Sequence, residues 1–307
     1  MASIKSLFAD QLEPGFLVIF NDNYKEPERV YSKVFNVMNS SKQDERFSSV
    51  TGFGLLTVKS ENATIDYDDP IQGYDHLLSH STYAKGFKIS KELWEDQLYN
   101  LINEKPRQLG VAARRTEETV SANVLNRAFN SSYLGGDGQE LCSTVHPRED
   151  AGTSISNASA TGLTFGEENY ETAKLAMRSE QLDGRGQIIE VMPSVLLIPE
   201  NLKKTADIVF KSNLRSGTAD NDFNPYQNEL QVIEWLYMNR NNTHWFLIDK
   251  DMARGLVYLK REPISFSQDE AWESDAAMYK VRERFSVGFY AWRGVWGSQG
   301  DGAAYSG

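Results

Sequence analysis

RERFSVGFYAWRGVWGSQG, residues 282–300, sets five aromatic rings (Phe285, Phe289, Tyr290, Trp292 and Trp296) close together in an acidic chain. Exposed rings would make a platform for a ligand; a strand covered on both faces would make a core. Alternation favours the core. Phe285, Val287, Phe289 and Ala291 fall on one face of an extended segment, with Tyr290 and Trp292 on the other.

Working outward, IIEVMPSVLLIP (188–199), ELQVIEWLYM (229–238), THWFLID (243–249) and GLVYLKRE (255–262) read as further strands. Helical segments interleave with them. Thr164 and Glu167 have capping-box spacing at the head of a helix to about Ser179, and Pro199 suits the start of another through Lys211. The Gly136-Asp137-Gly138 turn joins two extended pieces. This mixed order predicts an α+β fold.

The strongest periodicity lies further upstream. After Ser90, a potential cap, Trp94, Leu98, Leu101, Ile102, Leu109, Ala113, Val120, Val124, Leu125 and Ala128 recur at three and four residues. The pattern implies about ten turns, roughly 55 Å. Proline inside a helix removes a hydrogen bond and clashes with the preceding turn, but at the first position it costs little. Two helices are therefore expected, Ser90 to about Asn103 and Pro106 to about Phe129, with a hinge at Pro106 and the break at Glu104–Lys105. Arg114, Arg115, Glu117 and Glu118 read as an outward-facing charged stripe, solvated or intersubunit.

Residues 46–88 are strand-like but poor in core. FGLLTV (53–58) and ATIDY (63–67), separated by KSEN, suggest a hairpin, and HLLSHSTYAKGF (76–87) continues extended. An isolated hairpin is marginal in water, so Phe53, Leu55 and Val58 are expected to pack largely against a neighbouring chain. In residues 1–45, FLVIF (16–20) is a short apolar stretch, and Val30, Val34, Phe35 and Met38 have helical spacing.

The 307 residues allow a sizeable core, and 24% charged residues is ordinary for a globular chain. The net charge of −11 argues against a nucleic-acid-binding surface as the main function. Cys142 is the single cysteine, so no intrachain disulfide can form; no signal peptide or membrane span is read, and the expectation is a soluble cytoplasmic protein.

Catalytic and metal patterns fail on spacing. Cys142 and His146 on one strand would stand more than about 10 Å apart, too far for proton transfer. His76 and His80 lie in an extended segment without a zincin glutamate. Asp220, Asp222 and Asn224 begin like a calcium loop, but Pro225 stands where glycine is needed. Asp66, Asp68 and Asp69 before Pro70 read as a turn. No enzyme and no cofactor are expected.

Several stretches in fixed order carry more information: YDDPIQGY (67–74), TYAKGFKISKELWEDQLYNLI (82–102), ETVSANVLNRAFN (118–130), GGDGQELCSTVHP (135–147), then 156–157 and 163–164, and RERFSVGFYAWRGVWGS (282–298). From about residue 10 to the C-terminus the series resembles the major capsid (major head) proteins of tailed bacteriophages, the group that includes the Mu-type subunits. The resemblance implies the Hong Kong 97-type fold: an N-terminal arm (1–45), an E-loop hairpin (46–88), a peripheral domain with a spine helix (89–145), an axial domain (146–260), and a return to the peripheral domain (261–307). It implies pentamers and hexamers in an icosahedral head around double-stranded DNA, assembled in the host cytoplasm. The partners implied are a separate scaffolding protein, a portal and decoration proteins. The same fold would serve an encapsulin-like nanocompartment, the alternative reading. Two expectations follow: an inner surface that is not strongly basic, so that DNA slides, and a loop at 214–228 near a capsomer axis.

Overall fold

The computed structural model describes residues 5–25, 28–95, 99–214, 223–238, 243–271 and 276–305. The chain opens with α1 (Lys5–Lys25) and the single turn α2 (Tyr31–Val34). Four strands follow: β1 (Asn36–Asn39), β2 (Asp44–Val50), β3 (Gln72–Ser79) and β4 (Ser81–Ile89). Then come α3 (Lys91–Glu95) and the long helix α4 (Tyr99–Asn126). The second half runs α5 (Glu167–Glu180), β5 (Val195–Ile198), a 3-10 turn (Glu200–Leu202), α6 (Lys203–Lys211), β6 (Gln231–Glu234) and β7 (Trp245–Ile248). It closes with β8 (Leu256–Ala271), β9 (Ala276–Phe289) and β10 (Val295–Ser298).

Two four-stranded sheets carry the fold. One has the order β1-β8-β9-β4, the other β10-β7-β5-β6, and β2 and β3 form a separate antiparallel ribbon. In the second sheet every residue of β5, β7 and β10 is buried. That is why VLLI and WFLI lack polar alternation: both faces are covered. α5 and α6 bring Tyr170, Met177 and Phe210 to one face, against Leu196, Leu247 and Trp296. The other face meets Phe129, Trp235 and Trp292 in the largest core, which also reaches Tyr258 and Phe285 of the first sheet.

α1 and α4 form a layer over the first sheet. Phe16 packs with Ile102 and Tyr279, and Phe20 with Leu109 and Val281. At Gly110 the two helices touch by backbone, since a Cβ there would stand 2.7 Å from the Phe20 carbonyl oxygen. Only glycine fits that approach.

Several sequence expectations need correction. FLVIF belongs to the 21-residue α1, whereas the helical spacing of Val30, Val34, Phe35 and Met38 gives only the one turn α2 followed by β1, whose parallel pairing with β8 takes Val37 and Met38. α4 runs unbroken through Pro106, so the break at Glu104–Lys105 is not there. Pro106 is itself buried, and the packing of Ile102 and Leu109 against α1 and the sheet offsets a local cost of about 3 kcal/mol. Among the described residues α3 ends at Glu95 and α4 begins at Tyr99. Ser90 does cap, accepting from the Leu93 N–H at 3.4 Å. The Thr164–Glu167 box does not form: Gly166 is the N-cap, without a side-chain bond, and Thr164 accepts from Asn169.

The opening aromatic stretch is covered on both faces, but it is not one strand. β9 ends at Phe289, and a turn over 290–294 carries the chain into the other sheet, where β10 pairs with β7. Gly294 makes this possible with φ +84, and a side chain there would collide with the Ala253 backbone. Residues 261–307 therefore divide between the two sheets and do not return to the first alone.

Candidate assembly surfaces

The segment 51–71 crosses from β2 to β3 without regular strand structure. The hairpin arms are thus β2 and β3, paired Asp44–Ser79 to Val50–Gln72, and FGLLTV and ATIDY are the loop beyond them. Neither segment pairs with a described strand of its own chain. Phe53, Leu55, Leu56, Val58, Ile65 and Tyr67 are all exposed, Leu56 and Val58 at 99%. An exposed apolar series of this length marks an interaction surface.

A polar tether joins the loop to its own subunit. Asp68 accepts from the Gly54 N–H at 2.8 Å and from Arg185 Nη1 at 2.7 Å, while Arg185 Nη2 donates to the Asp69 carbonyl at 2.5 Å. The Gly54 N–H, with help from Arg185, holds the Asp68 carboxyl below its ordinary range. Arg185 lies in the LDGRGQ turn, and nothing in its sequence setting marks it as a partner for residues more than a hundred positions away. Asp66, Asp68 and Asp69 were expected only to make a turn.

The charged stripe on α4 is not outward-facing as a whole. Arg115 is exposed and Arg114 half-buried, but Glu117 and Glu118 are buried. Glu117 accepts from the Tyr24 hydroxyl at 2.7 Å and from Arg29 Nε at 2.6 Å. Glu118 accepts from the Val30 N–H at 2.7 Å and from Trp235 Nε1 at 2.6 Å. Burial pushes the Glu118 carboxyl up, and these two bonds pull it back in part. Glutamates on a helix surface pattern read as solvated; here the arm and the β6–β7 connection cover them. Their partners lie 88 to 117 positions away, so sequence spacing gives no sign of the network.

The residues weighed for chemistry sit in structural roles. His146 is fully buried, bonded to Asp137 Oδ2 through Nδ1 at 2.6 Å and to Asn157 Oδ1 through Nε2 at 3.0 Å, and stacked on Trp292 at 4.2 Å. Cys142 is buried in the main core, and burial pushes its thiol well up. His80 bridges Ser40 at 2.9 Å and Ser286 at 3.1 Å, with its pKa lowered by burial; His76 lies flat against Phe289. Trp292 and Trp296 are both buried, which removes the aromatic-platform reading. Asn224 is buried and donates to the Val209 and Ser212 carbonyls; of the 214–228 loop, residues 215–222 lie outside the described residues. No helix among the described residues is long and apolar enough to cross a membrane.

A family model described as phage capsid protein matches residues 76–298, well over half of the sequence. The chain belongs to the phage capsid protein family. Solved structures agree on the fold. The capsid of cyanophage P-SCSP1u superposes with a TM-score of 0.57 at 12% identity, covering 88% of this chain and 87% of that one. The procapsid of bacteriophage JBD30 gives 0.51 at 17%, covering 94% and 74%. A virus-like particle from Pyrococcus furiosus gives 0.55 at 11%, covering 92% and 97%. No curated protein matches the sequence. This phage capsid protein is thus a major capsid subunit of the phage head, α+β in class and of the Hong Kong 97-type fold.

Proposed function

We propose that this capsid protein assembles as pentamers and hexamers into an icosahedral shell around double-stranded DNA, with residues 51–71 completed by a neighbouring subunit. The single observation behind this is the loop itself, where six large apolar side chains stand in water outside the described strands and cores of their own chain. Heterologous contacts repeated around a five- or six-fold axis would bury such a loop in every subunit. In this reading β2, β3 and the loop between them form the E-loop, and α4 is the spine helix. The sheet β1-β8-β9-β4 serves the peripheral domain and the sheet β10-β7-β5-β6 the axial domain. Arg114 and Arg115, unlike Glu117 and Glu118, remain available for contacts between subunits.

The reading also gives the chain a portal, a separate scaffolding protein and decoration proteins as partners, the virion as its location, host cytoplasm as the place of assembly, and no catalytic activity. The JBD30 capsid is itself decorated with minor capsid protein trimers. Deleting residues 50–66 tests the proposal: the chain should remain soluble, and electron microscopy should find no closed shells. Normal particles from that deletion would overturn it. Particles from the unaltered chain that enclose enzymes in place of DNA would favour the nanocompartment reading.

A further inference from the structure

Both arms of the β2–β3 ribbon leave the first sheet beside His80. β3 ends at Ser79 and β4 begins at Ser81, so His80 is the single residue between them, while Ser40 follows β1 on the way to β2. A hydrogen-bond chain crosses this root. His80 Nε2 meets Ser40 Oγ at 2.9 Å, and Ser40 Oγ meets Glu45 Oε1 at 2.8 Å. On the other side of the ring, Ser286 Oγ of β9 lies 3.1 Å from His80 Nδ1. His80, Ser40 and Ser286 are all buried. The Ser40 N–H also donates to the Lys260 carbonyl of β8 at 2.9 Å. One imidazole thus joins the two arms of the ribbon to each other and to the sheet.

Glu45 sets the direction of every proton in the chain. A carboxylate only accepts, so the Ser40 hydroxyl donates to Glu45 and must accept from His80. His80 therefore carries its proton on Nε2 and leaves Nδ1 to accept from the Ser286 hydroxyl. A second proton, on Nδ1, would meet that hydroxyl donor head-on. We propose that the Glu45–Ser40–His80–Ser286 chain pins the root of the β2–β3 ribbon to the first sheet, and that protonation of His80 releases it. The pin lies within one subunit and is independent of what covers residues 51–71.

Charged groups face His80 from each neighbouring element. β2 presents Asp44 and Glu45, with Lys42 at 3.7 Å from Glu45; β8 presents Arg261 and β9 presents Arg284. Burial holds the His80 pKa below its ordinary 6.5; Arg284 and Arg261 act in the same direction, and Glu45 and Asp44 oppose them. Linkage fixes the sign. A released His80 returns to water and titrates near 6.5, whereas the pinned ring stays neutral to lower pH. The pin is therefore at full strength above 6.5 and weakens as pH falls below it. Opening should rise by up to about tenfold per pH unit until the lower, pinned value is passed, and then level off.

The full chain, kept as dissociated subunits, gives two readouts. Nitrogen NMR of the unaltered chain at pH 7.5 should find His80 neutral with its proton on Nε2. Hydrogen exchange from pH 8 to pH 5, corrected for the intrinsic chemical rate, should show the amides of Ser40 and of the Asp44–Ser79 end of the ribbon opening progressively below 6.5. Amides of β5 and β7 should show no such rise. His80→Gln offers an amide N–H to Ser40 and a carbonyl to Ser286 without titrating, so it should abolish the slope and leave the root closed. The NMR result stands whether or not that variant folds. A His80 proton on Nδ1 at pH 7.5, or no rise in exchange below 6.5, would overturn the inference. So would an unchanged slope in His80→Gln, which would assign the titration to His76 of the same ribbon.

Discussion

The sheet β10-β7-β5-β6 and the loop 51–71 use the same residue types to opposite ends. In the sheet, Leu196, Leu197, Phe246 and Leu247 are wholly buried, with α5 and α6 on one side and the central core on the other. In the loop, Phe53, Leu55, Leu56 and Val58 stand exposed. Composition does not separate the regions; the presence of a second layer does. One region is completed by its own chain, and the other has the chemistry of a surface awaiting a partner.

The sharpest contrast comes from truncating a side chain in each region. Trp296→Ala removes an indole packed against Trp245 and should cost about 3–5 kcal/mol in denaturant unfolding. Replacing Leu55, Leu56 and Val58 together with serine should change the stability of the dissociated subunit by less than about 0.5 kcal/mol, while abolishing closed shells. A comparable loss of subunit stability from the loop variant would break the comparison.

The next effect sharpens it from the polar side. Glu118→Ala strands the Trp235 indole N–H and the Val30 N–H in a buried site, with an expected cost of about 2–3 kcal/mol by the same measurement. Pro106→Ala should act in the other direction. It restores a backbone hydrogen bond inside α4 but gives up ring contacts, for a net gain of about 1 kcal/mol in thermal unfolding.

The smallest effect on stability belongs to the loop tether. Arg185→Ala should leave the melting temperature unchanged yet speed proteolysis within 51–71, since Asp68 and the Asp69 carbonyl lose their anchor. The sign with pH follows from Asp68, whose folded pKa is depressed. The tether is intact above its ordinary value of 3.8 and is lost as pH falls through the lower folded value. Proteolysis of the unaltered loop should therefore quicken only in strong acid.

These contrasts also show which parts of the molecule were legible in sequence. Two-faced burial of Phe285 and Phe289 was readable from alternation, and the exposed loop from the shortage of local core. Helical spacing in 99–126 was strong enough to read, but its passage through Pro106 depended on Phe16 and Phe20 arriving from α1. The turn at 290–294 was hidden because it rests on Gly294 meeting the Ala253 backbone, a contact between remote segments. Glu117 and Glu118 were misread for the same reason: a glutamate's surroundings are set by Tyr24, Arg29 and Trp235, which no local pattern connects to it.

The central claim is that residues 51–71 find their cover on another subunit, and thiol labelling of Val58→Cys tests it most directly. Cys142 supplies a silent background, being wholly buried with its thiol pKa pushed up. In dissociated subunits the new thiol should react at the rate of a free peptide, because Val58 is 99% exposed. In assembled shells it should be protected by at least about a hundredfold, the expectation for a side chain removed from water. Equal labelling rates in subunits and shells would contradict the account.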